Sequence, residues 1–167
     1  MMKPLNIVLF SPEIPQNTGT IGRLAVSTNT KLHLIEPLGF SLEDKYLKRA
    51  GLDYWEYLAP EIYPDWETFL EKNHPERMFF ISTHGSKDFF DVEFQEGDFL
   101  VFGRESAGLP DEFHQRYPEN FCRIPMPGEF NRSLNLANAV SIVLYEALRQ
   151  NRSLWHDNLL SFHEKRK

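Results

Sequence analysis

Short apolar runs alternate with helical stretches along this chain, and that alternation limits its fold more than any other feature. Each run is followed by a segment whose apolar residues recur at the spacing of a helix face. Strands that alternate with helices are typical of α/β proteins with parallel strands in one sheet. We therefore predict an α/β fold, a mostly parallel sheet flanked by helices, with strands at residues 5–10, 32–35, 78–81, 99–102 and 121–124.

Several helix boundaries have their usual sequence signals. Ser41 and Asp44 match a capping box, which predicts a helix from about Leu42, and Gly51 is a typical stop. Asn17 is predicted to cap an earlier helix, because its side chain can accept a bond from a free backbone donor. We also predict an amphipathic segment at residues 66–70 and a last helix over residues 133–150.

Length and composition fit one domain. The chain has 167 residues, of which 41% are hydrophobic and 25% charged, and we expect residues 1–167 to form a single domain with a basic tail at about 153–167. The single cysteine, Cys122, cannot form an internal disulfide and lies in an apolar run, which is typical of a buried structural thiol. No signal peptide or membrane span is evident near the amino terminus, so we expect a cytoplasmic protein.

The distribution of charge bears on possible partners. A net charge of −6 argues against a polyanionic partner, but 15 of the 24 acidic residues lie between residues 61 and 130. The basic residues outside that stretch are candidates for a nucleic-acid footprint: Lys45, Lys48, Arg49, Arg132, Arg149, Arg152 and Lys165-Arg166-Lys167. For the terminal triplet, a frayed solubilising tail is the alternative.

A metal site is not expected. The six histidines show no metal-ligand spacing, and a single cysteine cannot build a typical zinc site. We therefore predict that the protein holds no metal.

Polar side chains collect where the last helix begins, although packing there favours hydrocarbon. Arg132, Ser133, Asn135 and Asn138 lie at the start of an apolar helical stripe. One interpretation is capping of the first turn. The other is a ligand held at the helix start, where free amides and the helix dipole favour an anion or a polar group. On this segment alone, capping is favoured.

Two other segments favour a ligand site. Residues 17–23 follow the first predicted strand and end in Arg23, which lies off the apolar stripe of its helix. The alternative for Arg23 is a solvated helix charge. Residues 102–110 form a glycine loop directly after a buried strand, which is a common ligand cradle.

The glycine loop does not match the standard nucleotide or hydrolase motifs. Gly103 and Gly108 have P-loop spacing, but leucine and proline follow where a P-loop has lysine and serine or threonine. No two glycines are separated by one residue, so the dinucleotide fingerprint is absent from the sequence. Arg104 replaces the first glycine of a nucleophile elbow around Ser106. P-loop NTPases, Rossmann cofactor sites and serine hydrolases are therefore disfavoured.

The three segments together resemble the signature motifs of the SPOUT superfamily, in its SpoU-type RNA ribose 2′-O-methyltransferase branch. The matching motifs are Asn17-x-Gly19-x-x-x-Arg23, Gly103-x-Glu105-x-x-Gly108-Leu109, and Ile124-Pro125 with Ser133-Leu134-Asn135. The resemblance runs from about residue 5 to residue 149. Residues 35–40 and 49–55 narrow it to members that act on the wobble ribose of tRNA anticodons.

The resemblance implies a specific activity. It is S-adenosylmethionine-dependent 2′-O-methylation of the wobble nucleotide, a cytidine or modified uridine in an anticodon of tRNA-Leu type. It also implies a homodimer that binds the tRNA anticodon loop, and a C-terminal trefoil knot whose loops hold the methyl donor mostly by backbone groups. The motifs leave open a methyltransferase acting on another tRNA position or on ribosomal RNA, and an RNA-binding module without turnover.

The resemblance also implies which residues form the site. The expected cofactor contacts are Ile81, Gly103, Ile124 and Ser133. The expected catalytic residues are Arg23, Glu105, Asn17 and Asn135. We expect glycine at 103 because a residue without a Cβ leaves room for a ligand close to the backbone.

The predicted roles follow from the chemistry of these groups. A guanidinium is not deprotonated in proteins, so we assign Arg23 to anchoring phosphate and stabilising oxyanion charge. Glu105 would orient Arg23 or take the proton. Tyr54 and Trp55 are candidates for stacking on splayed anticodon bases.

Overall fold

The computed structural model describes residues 2–51 and 55–156. Within them, seven strands form one sheet: β1 (Asn6–Phe10), β2 (Lys31–Ile35), β3 (Glu61–Tyr63), β4 (Met78–Ile81), β5 (Lys87–Asp88), β6 (Phe99–Phe102) and β7 (Phe121–Arg123). Their spatial order is β3-β2-β1-β6-β4-β7-β5, and the neighbouring strands are parallel. The predicted α/β fold with a parallel sheet is therefore confirmed.

The α-helices in the same residues include α1 (Pro15–Ser27), α2 (Lys45–Gly51), α3 (Trp55–Leu58), α4 (Trp66–Asn73), α5 (Asp111–Arg116) and α6 (Leu136–Gln150). None of the helices in this described part is long and apolar enough to span a membrane. The predicted basic tail lies mostly outside the described residues, and so does Tyr54.

Three predicted helix starts are corrected. α1 begins at Pro15, so Asn17 lies inside its first turn and is not the cap; proline is favoured at this position because the first helical N–H needs no partner. α2 begins at Lys45, because Ser41 and Asp44 each accept a bond from an amide two residues ahead and form no reciprocal box. α6 begins at Leu136, three residues after the predicted start.

The two faces of the sheet are packed differently. On one face, α1 and α6 cover aliphatic side chains that include Ile7 and Leu9. On the other face, α4 and α5 contribute Trp66, Phe69 and Phe113 to a buried aromatic cluster. Because α1 and α6 share one face and contact each other, the elements that carry the first and third motifs lie side by side.

Cys122 lies on β7 with 1% of its surface exposed. Burial raises the pKa of its thiol to about 12. The prediction of a buried structural thiol is confirmed.

A polar network crosses the aromatic face at His33 on β2. Its Nε2 donates to Asn6 Oδ1 at 2.9 Å, and its Nδ1 lies 2.8 Å from the hydroxyl of Tyr63. His33 is 2% exposed, and burial lowers its pKa from 6.5 to about 4. The folded protein therefore holds this imidazole neutral at pH values where the unfolded chain is already protonated.

This network predicts an acid-labile fold. As the pH falls below 6.5, the unfolded chain takes up a proton at position 33 before the folded protein does, so stability is lost between pH 6.5 and about 4. Between pH 7 and pH 5 we expect a loss of about 2 kcal/mol from this group. His33→Gln cannot titrate, and its free energy of unfolding, measured in urea, should change correspondingly less over that range.

His74→Asn is the matched control. His74 is exposed and is the left-handed C-cap of α4, a conformation that asparagine tolerates. This variant should keep the wild-type dependence on pH. An equal pH dependence in His33→Gln and wild type would contradict the assignment to His33.

Candidate active site

A cleft of about 570 Å³ opens at the carboxyl ends of β4, β6 and β7. Parallel strands deliver these ends to the same edge of the sheet, which is where α/β proteins usually bind ligands. Its walls are the loop after β4, the loop after β6, the segment after β7 and the start of α1. The three sequence motifs therefore meet in one place.

The cleft brings together seven of the eight predicted site residues. They are Asn17, Ile81, Gly103, Glu105, Ile124, Ser133 and Asn135. Arg23 is the exception, because it lies on the exposed side of α1, two turns beyond Asn17. The structure thus brings most of the predicted residues together at one location. Their roles stay predictions.

The loop after β6 folds tightly on itself. Arg104 and Gly108 exchange two backbone hydrogen bonds, of 3.2 and 2.9 Å, and Gly108 has a left-handed φ of 66°. A Cβ on Gly103 would collide with the backbone of Gly108 and Leu109. The explanation given above for this glycine is corrected: the space beside Gly103 is filled by the loop's own backbone.

The same loop is tied to the start of α1 by four hydrogen bonds. Glu105 accepts from the backbone N–H groups of Glu13 at 2.7 Å and Ile14 at 3.3 Å. Glu13 in turn accepts from the backbone N–H and the hydroxyl of Ser106, at 3.0 and 2.6 Å. We call these four bonds the Glu13–Glu105 clasp. The two that Ser106 donates lower the pKa of the Glu13 carboxyl. Glu105 thus orients the helix that carries Arg23 by holding its backbone.

Asn135 connects the third motif to the first. Its Oδ1 accepts from the N–H of Asn138 at 3.2 Å, so it is the N-cap of α6. Its Nδ2 donates to Asn17 Oδ1 at 3.1 Å, and Asn17 is 8% exposed. The capping interpretation is therefore confirmed for Asn135, which also lines the cleft. A ligand at this helix start stays a prediction.

Sequence reasoning missed several cleft residues. His84 and His114 line it from the loop after β4 and from α5, with ring centroids 6.5 Å apart. His114 also stacks on Phe121 at 4.0 Å. No sequence pattern joins the two histidines, because only the parallel arrangement of β4 and β6 brings their loops together. Glu13, which lies two residues before α1 and binds the loop after β6, was also missed.

One residue of the predicted RNA footprint, Arg132, lies in a second groove. This groove, of about 580 Å³, shares Ile124 and Ser133 with the cleft and also contains Arg123, which was not part of the predicted footprint. Arg123 donates to Asp88 at 2.9 Å, and Arg132 is exposed.

Footprint residue Arg149 and the stacking candidate Trp55 both contact other parts of the protein. Arg149 is paired with Glu146 at 2.8 Å. Trp55 is partly buried, and its ring lies 3.5 Å from the position of a Cβ on Gly22. It therefore packs against α1 and offers less surface for stacking than expected. Within residues 2–51 and 55–156, no group of three or more His, Cys, Asp or Glu side chains could hold a metal ion.

Comparison with known proteins identifies close relatives. Residues 4–145 match the SpoU rRNA Methylase family. The tRNA (cytidine(34)-2'-O)-methyltransferase of Methylovorus glucosotrophus is 52% identical over 146 residues, which cover 87% of this chain and 94% of that protein. The protein of the same name from Escherichia coli K12 is 50% identical over 147 residues, covering 87% and 93%.

Solved structures agree with the sequence matches. One, from work on 2-OH methylation of C/U34 on tRNA, has a TM-score of 0.84 and 45% identity, and covers 90% of this chain and 98% of that chain. The SpoU methyltransferase AviRb from Streptomyces viridochromogenes, in complex with the cofactor AdoMet, has a TM-score of 0.81 and 26% identity, covering 92% and 60%. The resemblance predicted from the three motifs is confirmed.

The tight loop after β6 predicts that Gly103 is required for stability. In Gly103→Ala, the Cβ would force the backbone of Gly108 and Leu109 apart, and strain of this kind costs about 2 kcal/mol. We expect the melting temperature to fall by roughly 4–8 °C, measured by circular dichroism. In Gly128→Ala, the matched control, the Cβ would meet nothing within 4 Å, and equal melting temperatures for the two variants would contradict this account.

Proposed function

Because the chain belongs to the SpoU rRNA methylase family, we propose that it is a tRNA (cytidine(34)-2′-O)-methyltransferase. It transfers a methyl group from S-adenosylmethionine to the ribose 2′-hydroxyl of the wobble nucleotide in a tRNA anticodon. The observation that carries this proposal is the convergence of all three motifs on one cleft. Relatives that are about half identical over 87% of the chain support the choice of tRNA position 34.

The cleft fits S-adenosylmethionine. Its volume of about 570 Å³ lies in the usual range for a small-molecule site, and its walls combine apolar side chains with loop backbone. Ile81, Gly103, Ile124 and Ser133 are the residues that would hold the cofactor. When bound, the cofactor supplies an electrophilic methyl group on a sulfonium.

Side chains of the protein position the acceptor, the ribose 2′-hydroxyl, and stabilise the charge that develops on it. A 2′-hydroxyl is weakly acidic, and negative charge develops on its oxygen during transfer. Arg23 stabilises that charge and anchors a neighbouring phosphate, since a guanidinium stays protonated and offers several donors. Asn17 and Asn135, already joined at 3.1 Å, contribute amide groups at the cleft, and donors of this type are worth about a hundredfold in rate. The proton leaves through water or a carboxylate.

We also propose the finer features of the fold that the resemblance implies. Residues 1–167 form one domain with a C-terminal trefoil knot. The position of the segment after β7 supports the knot, because it lines the cleft beside the loop after β6 before α6 packs back against α1.

A homodimer is part of the same proposal. One protomer offers a small basic surface to an anticodon loop, and a second copy would enlarge it. Ile142 and Tyr145 lie one turn apart on α6 and are 40% and 55% exposed, and Ile14 beside the cleft is 42% exposed. This apolar surface supports contact with a second copy. A tRNA substrate and a buried, unpaired thiol support a cytoplasmic location.

The activity is tested by methyl transfer in the presence of a metal chelator. Purified protein with S-adenosylmethionine and an unmodified or natively modified tRNA should yield one ribose methylation, mapped by its resistance to alkaline cleavage, at position 34. Because the sequence predicts no bound metal, excess chelator should not reduce the rate. Methylation at another tRNA position or in ribosomal RNA alone would replace the proposed substrate, and absence of transfer to every RNA would refute the enzyme.

The role of Arg23 is tested by two substitutions. Arg23→Ala removes the cation and should lower the single-turnover rate by at least about a hundredfold, with cofactor affinity unchanged in calorimetry. Arg23→Lys keeps the charge but loses the planar fork, and should retain measurable transfer at a reduced rate. Lys31→Ala, which removes an exposed cation at the start of β2, is the control and should be as active as wild type.

The pH profile separates charge stabilisation from base catalysis. If Arg23 were the base, Arg23→Lys would shift the profile towards lower pH, because an ammonium loses its proton more readily. We expect no such shift. Near-normal turnover of Arg23→Ala would return Arg23 to the alternative of a solvated helix charge.

A further inference from the structure

The first turn of α1 takes its cap from a loop that is distant in sequence. The N-cap residue is Ile14, whose side chain cannot accept a hydrogen bond. Glu105 supplies the acceptor from the loop after β6, by binding the N–H groups of Glu13 and Ile14. Its negative charge also faces the positive end of the helix dipole. The start of α1 therefore depends on the position of that loop.

Glu13, beside α1, in turn binds the loop after β6. Its carboxylate accepts both bonds from Ser106, so each segment gives one carboxylate to the other. Neither segment can shift without breaking bonds on both sides. The loop after β6 lines the cleft, while α1, a helix of 13 residues, presents Arg23 on its exposed side.

We propose that the Glu13–Glu105 clasp couples the cofactor site to the RNA site, so that occupancy of the cleft raises the affinity of the protein for RNA. The proposal rests on the proposed function. A ligand that orders the loop after β6 also orders the start of α1 through the clasp, and α1 then holds Arg23 in place for a phosphate. Coupling of this kind is reciprocal, so bound RNA also tightens cofactor binding. Glu13 is a positioning residue, since it acts through the loop and the helix.

The first test measures RNA affinity with and without the demethylated product, S-adenosylhomocysteine. In wild-type protein, saturating product should tighten binding of a tRNA anticodon stem-loop by about tenfold, within the usual range for coupled sites. Glu13→Ala removes the acceptor for both Ser106 donors but keeps the two bonds to Glu105, and should bring this ratio well below the wild-type value. Glu13→Gln keeps an acceptor oxygen and should retain most of the coupling. Fluorescence anisotropy gives both affinities.

The second test needs no RNA. S-adenosylhomocysteine should slow hydrogen exchange of the amides at residues 13, 14 and 16–18 in wild-type protein, and should slow it less in Glu13→Ala. Ser106→Ala removes one of the two bonds to Glu13, and combined with Glu13→Ala it should add no further loss, because both changes act on one interaction. Glu119→Ala is the matched control. It removes an exposed glutamate just before β7, at the opposite edge of the sheet, and should change neither readout.

The outcomes separate this inference from the proposed function. A ratio of one in wild-type protein, or a ratio and an exchange pattern that Glu13→Ala leaves unchanged, would overturn the coupling. If wild-type protein methylates no tRNA, the proposed function fails, and the exchange experiment alone then decides whether the cleft communicates with α1. A loss of melting temperature in Glu13→Ala with coupling retained would reduce the clasp to a purely structural role and would also overturn the proposal.

Discussion

The approach of the backbone at Gly103 to that at Gly108 and Leu109 is the contact on which the rest of the site depends. It closes the loop after β6 so tightly that no side chain fits between its two arms. Once closed, the loop turns Glu105 and Ser106 towards α1, where they bind Glu13 and the N-cap amide. The cleft wall and the start of α1, the helix that carries Arg23, are thereby built as one unit.

The two faces of the sheet differ in what they contribute: the aromatic face is core, whereas the aliphatic face carries the helices that reach the cleft. On the aromatic face, buried rings pack against one another at the distances usual for aromatic pairs. This face also contains the neutral imidazole of His33. The aliphatic face carries α1 and α6, whose first turns meet through Asn17 and Asn135. These two amide side chains lie at helix starts, where the backbone already needs hydrogen-bond partners.

Much of the fold was predictable because buried parallel strands are continuous apolar runs. β4 and β6 have the predicted bounds, whereas β3 and β5 were missed because they are only three and two residues long and carry charged side chains. The motifs predicted the location of the cleft, but not why its residues are needed. Glu13 and Ser106 are 93 positions apart, and a one-dimensional pattern gives no sign that they meet. The sequence also did not show that α1 begins at Pro15, which places Asn17 in the buried first turn and not at the cap.

The buried thiol of Cys122 is an internal probe of how often this part of the sheet opens. β7, which carries it, lies between β4 and β5 and leads directly into the segment that walls the cleft. A thiol that is 1% exposed, with its pKa raised to about 12, reacts with a disulfide reagent only when this edge of the sheet separates. The rate of its modification under native conditions therefore reports how often this edge of the sheet opens, and how far a bound cofactor keeps it closed.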